Sequence, residues 1–94
     1  MHIIAEQCYY KIRREIDISG QRTVKELRTM QLYKDRIETR HRRFELREVL
    51  DVSFRRMGGD AGGFLYLHTS RGVFSYPVDS EPSLFIAAYK GISE

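Results

Sequence analysis

Hydrophobic and polar residues along this chain alternate more often than they recur at helical spacing, and alternation predicts strands. The clearest case is Gly63-Phe64-Leu65-Tyr66-Leu67-His68-Thr69. It is apolar in both phases, which suits a central strand covered on two faces. Ser70-Arg71-Gly72 is a tight turn, and Val73-Phe74-Ser75-Tyr76-Pro77-Val78 is the returning strand. Pro77 has no amide hydrogen, so it belongs near a strand end or on a sheet edge. After this hairpin the period changes. Leu84, Phe85, Ala88 and Ile92 form an i, i+1, i+4, i+8 stripe, which predicts an amphipathic helix. Asp79 or Ser80 can cap its start, and Pro82 is tolerated in its first turn. Lys90 suits its C-terminal end, and Gly91 fits the left-handed position that terminates a helix.

The N-terminal half reads less cleanly. Cys8, Tyr10, Ile12, Ile16 and Ile18 share the even phase of a strand, while Cys8, Ile12 and Ile16 also share helical i, i+4 spacing. The β-branched isoleucines and paired tyrosines favour strand. Ile18-Ser19-Gly20-Gln21 turns the chain, and Val24 to Tyr33 reads as a second strand. Lys34-Asp35 connects to a short strand from Arg36 to Thr39. Arg40-His41-Arg42-Arg43 is a hairpin tip, after which Phe44 and Leu46 resume alternation. Leu46-Arg47-Glu48-Val49 places its apolar residues three apart, which indicates one helical turn or a bend. Leu50, Val52 and Phe54 then form a strand ending at Arg55-Arg56. Met57-Gly58-Gly59-Asp60-Ala61-Gly62-Gly63 is a loop by its glycine content. The expected fold is mainly β: about seven antiparallel strands in a strongly bent sheet or partly open barrel, capped by one C-terminal helix.

Ninety-four residues suffice for a single domain spanning 1–94. Eleven aromatics can supply its core. No run approaches the ~18–20 apolar residues of a membrane span, and the N-terminus lacks the basic and apolar regions of a signal peptide. A cytoplasmic location is expected, with peripheral membrane attachment left open. The lone Cys8 cannot form an internal disulfide, and its expected role is that of a small buried apolar group. The net charge of +3 is too small to point to nucleic acid on its own. Its distribution is uneven: residues 1–56 hold 14 of the 16 Lys and Arg against 9 acids.

Two segments, LYKDRIETRHRRFELREVLDVSF (32–54) and FLYLHTSRGVFSYPVDSEPSLFIAAYKGI (64–92), resemble the bacterial pleckstrin-homology-like domains. The first is similar to that family's strand-turn-strand and leucine-containing bend, the second to its last hairpin and closing helix. The resemblance implies a bent antiparallel barrel closed at one end by the helix. Many eukaryotic members carry a Trp in that helix; here Phe85 or Tyr89 would take its place. Phosphoinositide-binding members carry basic residues around the first hairpin loop. Lys11, Arg13, Arg14 and Arg22 match that spacing poorly, so lipid recognition is not implied.

The best functional candidate is the basic set Arg40, Arg42, Arg43, Arg47, Arg55 and Arg56. Arginine offers a planar fork of donors suited to phosphate or carboxylate. The competing reading is a solvated face threaded with Glu38, Glu45, Glu48 and Asp51. His2, His41 and His68 lie at no metal-ligand spacing, and no nucleophile or metalloprotease motif occurs. The expected function is therefore a non-enzymatic interaction module with no cofactor or metal. It would bind a protein partner or a second copy of itself. Anionic lipid is the alternative, and nucleic acid is not favoured.

Overall fold

A computed structural model describes residues 2–58 and 62–93. The strands are β1 (Ala5–Asp17), β2 (Gly20–Leu32), β3 (Arg36–Glu38), β4 (Arg43–Glu45), β5 (Val49–Arg56), β6 (Gly63–Thr69) and β7 (Gly72–Val78). One 3-10 turn, Leu46–Glu48, separates β4 from β5, and helix α1 (Ser83–Ser93) follows β7. All pairings are antiparallel. One sheet has the order β1-β2-β3-β4 and the other β5-β6-β7. The expected architecture is present, with the two sheets packed together rather than closed into a barrel.

Alternation decides which side chains meet between the sheets. In β6, Leu65 and Leu67 point inward, while Phe64, Tyr66 and His68 point outward and are half-buried. Phe44, Ile37, Met30 and Leu32 cover Leu65 and Leu67 from the other sheet, all without solvent exposure. Phe85 and Tyr89 of α1 close the open end, and the Tyr89 hydroxyl donates to the Val49 carbonyl at 3.0 Å. The apolar stripe of the helix thus differs from the expected one. Leu84 is 86% exposed, and Tyr89, one turn after Phe85, takes the buried position. The helix also starts later and ends later. Its first bond runs from the Ile86 amide to the Pro82 carbonyl, which makes Pro82 the cap residue. Asp79 and Glu81 instead pair with Lys25 and Arg56 at 2.7 and 2.9 Å. Gly91 lies within α1 and has no positive φ.

Three further differences concern strand phase. The even residues of β1 face outward, and the buried residue of that strand is Tyr9. Cys8 is exposed on that outer face rather than buried. Leu50 is also exposed, because a bulge between Val49 and Asp51 shifts β5 and hands the inward positions to Val49 and Val52. Within the expected glycine loop, residues 59–61 lie outside the described residues. Gly63 already belongs to β6, where a Cβ would collide with the Arg55 carbonyl oxygen. Glycine is required there by close backbone approach.

The β1–β2 hairpin dominates the outline. Thirteen paired residues extend to about 44 Å at strand rise, which accounts for overall dimensions of 51 × 29 × 25 Å. Its base packs on the second sheet, and its outer half projects.

Candidate functional site

β1 and β7 are the neighbouring edges of the two sheets. Among the described residues no strand ladder pairs them. Between them lies a groove of about 450 Å³. Tyr9 and Tyr76 meet edge-to-face across the seam, with ring centroids 5.0 Å apart. Tyr10, Ile12, Phe64 and Pro77 line the outer side. Lys11, Arg28 and Arg42 supply the cations, His41 adds an imidazole, and none of the lining residues is acidic.

The β3–β4 turn is bound to this seam. The Arg40 amide donates to the Tyr9 hydroxyl at 3.2 Å. Thr39 and Arg42 close the turn, with the Thr39 amide donating to the Arg42 carbonyl at 2.9 Å and the Arg42 amide to the Thr39 hydroxyl oxygen at 3.1 Å. The Arg42 guanidinium sits 4.8 Å from the Phe74 ring centroid, and Phe74 packs edge-on against Phe44. These contacts fix an arginine-bearing turn on the core, which lowers the ordering cost of any anion it receives. Burial raises the Tyr76 phenol above its ordinary value, partly offset by a hydrogen bond with Thr39. Glu26 stands opposite Lys11 in the first hairpin. Its pKa is lowered, chiefly by the hydrogen bond from Arg28, with further attraction from Arg13 and Arg40. Four arginines and Lys11 therefore surround or adjoin the groove, and the two adjoining carboxylates, Glu26 and Asp79, are engaged by Arg28 and Lys25.

The expected basic set is divided by this geometry. Arg40 and Arg42 reach the seam. Arg43 pairs with Glu45 at 3.2 Å, and Arg56 pairs with Glu81. Arg47 is exposed in the 3-10 turn, and Arg55 is exposed opposite Phe64 on β5 and β6. Arg43 and Arg56 thus sit in exposed ion pairs, while Arg42 lines the groove and Arg40 meets the seam through its backbone amide. Sequence reasoning missed Arg28 as their neighbour. The available signal was the register of the first hairpin, which puts Arg28 opposite Tyr9. Among the described residues no group of three or more His, Cys, Asp or Glu is placed to hold a metal ion. His68 instead shares a 2.8 Å hydrogen bond with Ser53. No described helix is long and apolar enough to cross a membrane. Comparison of the chain with family models, curated proteins and solved structures returns no match.

Proposed function

We propose that the domain is a non-enzymatic interaction module that docks an acidic segment of a partner protein in the β1–β7 groove. One observation carries this reading: an aromatic groove between two sheet edges has several cations and no carboxylate in its lining. Apolar floors supply affinity, and charged rims supply orientation and encounter rate. The order of four strands, three strands and a closing helix supports the resemblance to bacterial pleckstrin-homology-like domains, which we offer as a relationship and not as a source of ligand.

Titration of the protein with a fluorescent decaglutamate peptide tests the reading. Binding is expected to weaken as salt rises, because exposed charges are screened. It should be lost in the double variant Lys11→Glu, Arg42→Glu with the melting temperature retained. Binding that survives both changes counts against the groove.

Contact with an anionic membrane is a second reading, favoured by the hairpin tip. Ile18 is fully exposed there, near exposed Ile16, Arg14 and Arg22. Co-sedimentation with phosphatidylserine vesicles that is abolished by Ile18→Asp, beside no response to decaglutamate, would transfer the assignment to lipid.

A further inference from the structure

We infer that the groove takes its partner by strand addition, and that the preferred segment is extended with alternating acidic and apolar residues. This inference rests on the acidic-partner reading above and adds the mode of recognition.

The backbone phase of β1 follows from the sheet. The Tyr33 amide donates to the Arg36 carbonyl at 2.8 Å, so odd residues of β2 direct their peptide groups toward β3. In an antiparallel ladder successive residues alternate sides, so the even residues of β2 bond to β1. The register Met30–Gln7, Arg28–Tyr9, Glu26–Lys11 then makes the odd residues of β1 their partners. Tyr10, Ile12 and Arg14 are left with N–H and C=O groups pointing off the sheet edge. Consistent with this phase, the Cys8 carbonyl accepts from the Gln7 side chain at 2.9 Å.

β7 does not satisfy this edge. The pair Thr69–Gly72 closes the last hairpin, which points Pro77 outward, where its nitrogen carries no hydrogen. Pro77 therefore blunts the β7 edge, and the β1 edge remains the one able to template a strand.

Side chains specify the guest. Successive residues of a strand point to opposite faces. On one face of the β1 edge stand Tyr10 and Ile12, beside Phe64 and Pro77. On the other stand Lys11 and Arg28, beside Arg42, with Glu26 opposite Lys11 and held by Arg28. A strand added to β1 continues the same two faces. Its alternate residues would meet apolar surface, and the residues between them would meet cations. Charge complementarity makes the latter Asp or Glu.

The test follows backbone amide shifts of the full chain during titration with an eight-residue peptide of alternating glutamate and valine, blocked at both ends. Shifts should centre on Tyr10, Ile12 and Arg14. A peptide of the same composition arranged in doublets should bind roughly tenfold more weakly or worse. N-methylation of every second peptide residue should abolish binding in one phase and spare it in the other. The variant Ile12→Pro, which removes an outward donor, should lose the alternating peptide; the N-methylated peptides settle the point even if that variant unfolds. Equal binding of the alternating, doublet and both N-methylated peptides overturns strand addition and leaves the acidic-partner reading standing. No response to any of these peptides, or to decaglutamate, at millimolar concentration overturns both.

Discussion

β2 contributes to two regions of opposite character. Near its end, Met30 and Leu32 are wholly buried beneath the second sheet and α1. Five residues before Leu32, Leu27 is 69% exposed, and on the neighbouring strand Ile16 is 76% exposed. Both regions are antiparallel strand in continuous register. They differ in the face their apolar residues occupy: Met30 and Leu32 lie on the face covered by the second sheet, whereas Leu27 and Ile16 lie on the opposite face, which no second layer covers. Burial supplies roughly 25 cal/mol for each Å² of apolar surface removed from water, and the outer hairpin receives little of it. A two-stranded ribbon alone is marginally stable. Ion pairs occupy the outer hairpin's other face, including Arg22–Glu15 at 2.9 Å and Arg13–Glu26 at 3.8 Å. Such exposed pairs contribute little each. The molecule is therefore a firm two-sheet body carrying a weakly held arm, and the groove lies where the two meet.

This contrast breaks first under core truncation. Phe85→Ala should destabilise the fold by about 3–5 kcal/mol, while Ile16→Ala should stay within about 0.5 kcal/mol. Urea denaturation of both variants checks the pair. Similar losses would mean that the arm is covered in solution, which would itself indicate self-association. Gly63→Ala comes next, with an expected loss of about 3 kcal/mol or more, because the added methyl meets β5 backbone rather than a yielding side chain. Its unfolding midpoint should fall well below that of Gly20→Ala, which meets open space at the hairpin turn and carries only the strain of positive φ.

The smallest effects come from pH, and they probe the two regions separately. Glu26 at the hairpin base has a folded pKa below its ordinary 4.5, chiefly through the hydrogen bond from Arg28. Its stabilisation is complete above the ordinary value and is lost as pH falls through the folded one. Tyr76 at the seam has a folded pKa above its ordinary 10.0, chiefly through burial. Here the unfolded chain gives up its proton first, so stability is lost as pH rises past 10.0. Melting temperatures should thus decline at both extremes. Glu26→Gln should flatten the acid limb, and Tyr76→Phe the alkaline one. An alkaline limb unchanged in Tyr76→Phe would count against the buried phenol as its cause.

Much of the firm body was legible from residue pattern. The run from Gly63 to Val78 declared a central strand and an edge strand, because both phases of β6 are apolar and β7 carries Pro77. The spacing of Leu46 and Val49 announced the 3-10 turn. The arm was harder. Cys8, Tyr10, Ile12 and Ile16 alternate as a buried face would, yet they face outward, since alternation reports a common face and not what covers it. Leu50 was misplaced because a bulge leaves no mark in the apolar pattern. Leu84 was misplaced because the buried face runs through Phe85 and Tyr89, whose hydroxyl bonds to Val49, and Leu84 lies to one side of it. Of the site, Arg40 and Arg42 were visible as a basic turn. Their union with Arg28 and the tyrosine seam depends on which sheet edges adjoin, a long-range fact that local pattern does not carry.

The central claim is that β1 keeps an unpaired edge beside β7. Residue-resolved amide hydrogen exchange tests it most directly. The account predicts alternation along the base of β1, with Tyr9 and Lys11 protected and Tyr10 and Ile12 exchanging much faster. Equal protection at all four amides would mean that the seam is zipped to β7 or covered by another chain, and would contradict the open groove.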